Sequence, residues 1–123
     1  MANDEHVRLL REGGWEAWRS EFPNITPDLK ALAEGHELTT IEGLEGPNGE
    51  LHPIQEAYVA HTGFQCSYCT PGFILTTKAL LEEQPDVTRD EAKAYLAGNL
   101  CRCGSYVKIL DSVMDARERV RGG

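Results

Sequence analysis

From residue 52 onward, apolar positions recur at helical spacing. Pro53 suits the first position of a helix that carries Ile54, Ala57 and Tyr58 on one face and stops near Gly63. Thr70-Pro71 opens a second helix, whose stripe is Phe73, Ile74, Thr77, Leu80 and Leu81, with Pro85 just beyond its end. Thr88-Arg89-Asp90-Glu91 reads as a capping box, so a third helix starts there and runs through Tyr95 and Leu96 to about Gly98. A fourth starts near Ser105 and carries Tyr106, Ile109, Leu110, Val113 and Val120. Four amphipathic helices joined by short loops predict an all-α, compact four-helix bundle.

Upstream the pattern weakens, and the chain divides near residue 36. Residues 1–36 read as an N-terminal extension and 37–123 as the helical domain. The extension is polar and is interrupted by Gly13-Gly14, Pro23 and Pro27. It has room for two short helices, one holding Val7 and Leu10 and continuing to Trp15 and Trp18, the other running from Thr26-Pro27 to Gly35. Trp15, Trp18 and Phe22 can share a face. That face either packs on the rest of the chain or docks a second protein chain. Leu38-Thr39-Thr40-Ile41 favours a short strand, and Gly43, Gly46-Pro47 and Asn48-Gly49 punctuate a loop.

Composition narrows the function classes. The 123-residue chain is 41% apolar, enough for a modest core, and cores of this size are commonly supported by a metal, cofactor or partner. Its 12 basic and 20 acidic residues leave a formal net charge of −8. That balance excludes a nucleic-acid binder with a basic face and docking on an anionic membrane; it suits a positively charged partner. No apolar run reaches membrane-spanning length. The opening MANDEHVRLLREGG lacks a signal-peptide core, so the expected location is cytoplasmic. Disulfides are rare there, which makes the four cysteines candidate ligands.

The cysteines form two tight pairs, Cys66-x-x-Cys69 and Cys101-x-Cys103, with 31 residues between Cys69 and Cys101. Each pair stands just ahead of a predicted helix. Converging loops would place four thiolates around one centre, backed by helix N-termini whose unpaired N–H groups favour negative charge. A thiolate-ligated iron–sulfur cluster is anionic and is stabilised by such donors. Tetrahedral zinc, a pair of disulfides and a thioredoxin-like redox pair stay open on spacing alone. Zinc sites usually span a shorter, strand-rich gap, and no βαβ pattern surrounds the C-x-x-C. His6, His36, His52 and His61 stand at no ligand spacing to the cysteines and read as solvated or capping side chains.

Gln65-Cys66-Ser67-Tyr68-Cys69-Thr70-Pro71-Gly72 and Asn99-Leu100-Cys101-Arg102-Cys103 carry a resemblance. The stretch resembles the C-terminal helical [2Fe–2S] domain of the molybdenum hydroxylases, as in the small subunits of aerobic carbon monoxide dehydrogenases and the matching domains of xanthine dehydrogenase and aldehyde oxidoreductase. The resemblance runs from about Leu38 through His52-Pro53-Ile54-Gln55-Glu56-Ala57 to about Met114. It implies a four-helix bundle of approximate two-fold symmetry with a [2Fe–2S] cluster on Cys66, Cys69, Cys101 and Cys103. It also implies that Gln65 and Cys103 contact a molybdenum–pterin cofactor held by a large partner subunit, which passes electrons to the cluster. Phe64, Tyr68, Phe73 and Tyr106 are candidates for an apolar shell. The chain departs from the family pattern where glycine usually follows the first cysteine (Ser67), and where Thr-Gly-Tyr usually follows C-R-C (Gly104-Ser105-Tyr106). The plant-type ferredoxin domain that usually precedes the bundle would not fit in residues 1–36, which hold no cysteine. The expected function is electron transfer within an oxidoreductase, which leaves room for a further redox subunit; the alternatives are a stand-alone iron–sulfur sensor and a metal-bound structural subunit.

Overall fold

The computed structural model of the chain describes residues 34–122. The helices expected before residue 34, His6 and the Trp15–Trp18–Phe22 face lie outside the described residues. The chain divides into two compact units, Met1–Leu38 and Thr39–Gly123. Among the described residues the second unit holds four α-helices and no strand: α1 (Pro53–Ala60), α2 (Thr70–Glu83), α3 (Arg89–Tyr95) and α4 (Tyr106–Gly122).

Local chemistry sets each start. Ahead of α1, the His52 Nδ1 accepts from the Ile54 N–H at 3.2 Å, and the His52 N–H donates to Gln55 Oε1 at 2.9 Å. This is a capping box built on histidine, with Pro53 at the first helical position. The end of α1 is a Schellman motif, in which the Gly63 N–H reaches the Tyr58 carbonyl at 2.9 Å and the Thr62 N–H reaches that of Val59 at 3.2 Å. Thr62 takes the left-handed conformation there, φ 53°. Gly63 has a separate reason to be glycine. A Cβ at this position would collide with the Ser112 hydroxyl and the Tyr58 ring, so the close seating of α1 on α4 depends on its absence. Before α3, the Thr88 and Glu91 side chains complete the capping box read from the sequence.

The buried faces follow the predicted stripes. Ile54, Ala57 and Tyr58 of α1 meet Phe73, Ile74, Thr77, Leu80 and Leu81 of α2, together with Ala92, Ile109, Val113 and Ala116. Two helix hydroxyls within this core are satisfied. Thr77 Oγ1 donates to the Phe73 carbonyl at 2.7 Å and pairs with the Tyr58 hydroxyl at 3.0 Å. Ser112 Oγ donates to the Lys108 carbonyl at 2.8 Å. The Arg89–Asp111 ion pair (2.8 Å) and a polar contact of His61 Nε2 with Asp115 (3.2 Å) rim the core.

Three expectations are corrected. Leu38–Ile41 is no strand; a 3-10 turn occupies Ile41–Leu44. Among the described residues it has no strand to pair with, and the buried Leu44 anchors it instead. The third helix does not run unbroken to Gly98: after Tyr95 it tightens into a 3-10 turn, Leu96–Gly98, closed by the Asn99 N–H on the Leu96 carbonyl at 2.9 Å. Val120 does not join the α4 stripe, because it lies at the exposed end of the helix.

Candidate metal centre

Both cysteine loops end at helix starts. Cys69 is the residue before α2, with Pro71 in the first turn; Cys101 and Cys103 precede Tyr106, where α4 begins. Two left-handed residues bend the loops, Ser67 (φ 64°) and Gly104 (φ 74°). At 67 glycine would adopt this conformation without Cβ strain, which gives a physical reason for the glycine of the family pattern. At 104 the present chain has its own glycine.

Side chains brace the second loop against the bundle. Asn99 Nδ2 donates to Thr76 Oγ1 at 3.0 Å, and that hydroxyl donates to the Gly72 carbonyl at 2.8 Å. The Cys101 N–H donates to the Tyr106 hydroxyl at 2.9 Å, and the Tyr106 ring stands edge-on to Phe73 with centroids 6.4 Å apart. The Ser105 N–H donates to Cys101 Sγ at 3.4 Å.

All four cysteines are free. Cys101 is buried, Cys69 half-buried, and Cys66 and Cys103 exposed. The Ser105 N–H holds the Cys101 thiol below its ordinary pKa, against the opposing effect of burial, and the Cys69 thiol adds a hydrogen bond in the same direction. Burial pushes Cys69 up, and its bond to Cys101 pushes it further. Cys69 and Cys101, 32 positions apart in sequence, are therefore brought within hydrogen-bonding reach of each other. Cys66 lies close enough to Cys69 to add to its upward shift, and the Cys103 N–H supports Cys101. Among the described residues no three His, Cys, Asp or Glu side chains converge as they would around a single ion. A two-iron cluster spreads its four ligands over two metals.

The donor set fits such a cluster. It offers unbridged thiols and backbone N–H groups aimed at sulfur. Beside them, two buried hydroxyl oxygens, Thr70 Oγ1 and Ser105 Oγ, have no hydrogen-bond partner. In the sequence Ser105 stands out only as a departure from a pattern and Thr70 only as a helix start, since orphaned hydroxyls become visible only once burial is known. Of the aromatic shell, Phe73 is buried, Phe64 half-buried and Tyr106 partly exposed. Tyr68 is 95% exposed and excludes no water from the loops. Gln65 is exposed beside Cys66. His36, His52 and His61 are occupied with local contacts rather than the cysteines.

Fold and site together define a small all-α module with paired cysteine loops at two helix starts. The chain belongs to the [2Fe-2S] binding domain family, whose model matches residues 40–114. It is 40% identical over 113 residues to the aldehyde oxidoreductase iron-sulfur-binding subunit PaoA of Escherichia coli K12, covering 80% of this chain and 49% of that protein. It is 42% identical over 91 residues to the nicotinate dehydrogenase small FeS subunit of Eubacterium barkeri, covering 74% and 57%. Among solved structures, quinoline 2-oxidoreductase of Pseudomonas putida 86 superposes with a TM-score of 0.67 at 36% identity, covering 74% of this chain and 57% of that one. Aldehyde oxidoreductase of Desulfovibrio gigas gives 0.68 at 42% identity, covering 76% and 10%. The chain thus spans about half the length of the curated iron–sulfur subunits it matches. The domain is homologous to the iron–sulfur subunits of molybdenum-hydroxylase-type oxidoreductases.

Proposed function

We propose that this chain is the [2Fe–2S] electron-transfer component of a molybdenum-hydroxylase-like oxidoreductase, with Cys66, Cys69, Cys101 and Cys103 as cluster ligands. The observation that carries the reading is the meeting of the two cysteine loops, through Cys69 and Cys101, at the N-termini of α2 and α4. When bound, the cluster supplies one-electron storage for a two-electron oxidation performed at a molybdenum–pterin centre on a partner chain. The chain's own residues hold and tune the site. The Ser105 and Cys103 amides stabilise negative charge on Cys101, the helix N-termini add partial positive charge, and Phe73 with Tyr106 limits water on one side.

In this reading Gln65 and Cys103 face the pterin across an interface with the partner chain. Residues 37–123 form the cluster-binding domain, and residues 1–36 serve as a docking extension. Three large apolar side chains near the cysteine loops are uncovered in the single chain, Tyr68 at 95%, Leu100 at 81% and Val107 at 67% exposure, and they suit burial by the molybdenum-binding subunit. Four cysteines kept as thiols suit a reducing compartment, which favours the cytoplasm. Among the described residues no helix is long and apolar enough to cross a membrane.

Anaerobic purification should yield two irons and two acid-labile sulfides per chain, with visible charge-transfer absorption. One zinc and no sulfide would overturn the proposal. In the assembled complex, Gln65→Ala should leave the cluster spectrum intact yet slow its reduction by substrate or weaken assembly of the complex, since an orphaned pterin group costs on the order of 1–3 kcal/mol. An unchanged rate together with an unchanged association constant would remove Gln65 from the cofactor contact.

A further inference from the structure

Among the described residues the buried hydroxyls of Thr77 and Ser112, and the half-buried one of Thr76, are satisfied. Thr76, Thr77 and Ser112 each donate to the carbonyl four residues earlier, at 2.8, 2.7 and 2.8 Å. Thr70 Oγ1 and Ser105 Oγ are the exceptions among the described residues. Burying a hydroxyl without a partner costs on the order of 1–3 kcal/mol, so two such groups ask for an explanation.

Both lie at the junction of a cysteine loop and a helix start. Thr70 is the first residue of α2 and directly follows Cys69; Ser105 directly precedes α4 and lies two residues after Cys103. At a helix start the carbonyl four residues back belongs to the loop. For Ser105 that carbonyl is the one on Cys101, which already accepts the Gly104 N–H at 3.1 Å. A serine before a helix ordinarily accepts from an amide in the first turn, and Ser105 makes no such bond. Its own N–H instead points at Cys101 Sγ, at 3.4 Å. The Ser105 residue is 6% exposed, so water does not supply the missing partner.

We propose that the Thr70 and Ser105 hydroxyls are hydrogen-bond donors to the sulfurs of a [2Fe–2S] cluster held by the two loops, and that they raise its reduction potential. The inference rests on the cluster reading proposed above. A reduced cluster carries one more negative charge than an oxidised one, so a donor aimed at its sulfurs favours the reduced state. The paired placement gives each cysteine loop one such donor. In the metal-free chain the same hydroxyls have nothing to bind and oppose folding.

The test uses the full chain reconstituted anaerobically with ferrous iron and sulfide, followed by a spectroscopic redox titration. Thr70→Val and Ser105→Ala should each move the midpoint to more negative potential. Thr70→Ser and Ser105→Thr, which keep the hydroxyl, should stay near the wild-type value. In denaturant unfolding of the metal-free chain, Thr70→Val and Ser105→Ala should be no less stable than wild type. A hydroxyl that merely shaped its helix start would give the opposite pattern: both forms destabilised and the potential unmoved. Wild-type absorption with an unmoved midpoint in both hydroxyl-deleted variants overturns the inference. A wild-type chain that assembles no absorbing cluster overturns the cluster reading itself, and this inference with it.

Discussion

At the scale of the residue, backbone conformation and protonation make separate demands. Ser67 sits at φ 64° without needing a side chain there for packing, since it is exposed. A non-glycine residue in this region costs roughly 1–2 kcal/mol. Ser67→Gly should therefore raise stability by about 1 kcal/mol, offset in part by the greater freedom of glycine in the unfolded chain; chemical denaturation of the two proteins checks it. His52 makes a demand of the second kind. As a cap it must offer Nδ1 as an acceptor, which only the neutral ring can do. Burial, and then the charge of Lys78, hold its pKa below the ordinary 6.5. The unfolded chain thus binds the proton first as pH falls. The cap's contribution is complete above about 6.5 and declines as pH drops from there through the lowered folded value. His52→Asn keeps a capping side chain that does not titrate. Its melting temperature should fall less than that of wild type between pH 7.5 and 5.5, and parallel curves would show that His52 does not set this dependence. Residues of this kind are half-legible in the sequence. Capping is among the roles expected of the histidines, and Ser67 stands out as an unusual residue, but its left-handed φ depends on how the loop closes and leaves no periodic trace.

At the scale of the element, boundaries carried by side-chain chemistry are readable and those carried by tertiary contact are not. Pro53, the Thr88–Glu91 box, Thr70-Pro71 and Pro85 mark helix ends by local effects alone, and the stripes of α1 and α2 match the buried residues. The 3-10 turn at Ile41–Leu44 cannot be read this way. Thr39, Thr40 and Ile41 have strand propensity, but a strand needs a partner to bond its backbone. Ser112 escapes notice because its hydroxyl is hidden by a bond to its own helix. The link between α1 and α2 is likewise invisible, since Thr77 reads as one more position in a stripe. Burial holds the Tyr58 phenol protonated, well above its ordinary pKa, so it stays available to pair with Thr77. Thr77→Val keeps the shape and orphans that phenol, and should cost about 1–3 kcal/mol. Adding Tyr58→Phe should recover most of the loss, because both partners are then apolar. A double-mutant cycle with no coupling would show that the pair contributes nothing to holding the helices together.

At the scale of the whole molecule, the site end of the bundle carries the most exposed large apolar side chains among the described residues. The cysteine pattern makes the chemistry of that end legible from sequence, because ligand spacing survives without knowledge of the fold. The uneven covering is not legible, because exposure belongs to the assembled bundle. Leu100→Ala with Tyr68→Ala should weaken binding of a molybdenum-containing subunit several-fold, as loss of buried apolar area at an interface does, while leaving the visible spectrum and the melting temperature of the isolated chain unchanged. Calorimetry with the purified partner checks it, and equal affinities would place the interface elsewhere. The graded shelter of the four thiols adds a consequence for the chain without metal. Alkylating reagents need both a thiolate and a path to it. The Ser105 amide holds Cys101 below the ordinary thiol pKa, but Cys101 lies at 7% exposure, whereas Cys66 and Cys103 are open to solvent. A short pulse of iodoacetamide on the folded metal-free chain, read by peptide mass mapping, should mark Cys66 and Cys103 first, with Cys69 and Cys101 labelled only as the bundle opens. The lag between the outer and inner pairs then becomes a clock for local unfolding at this end of the molecule.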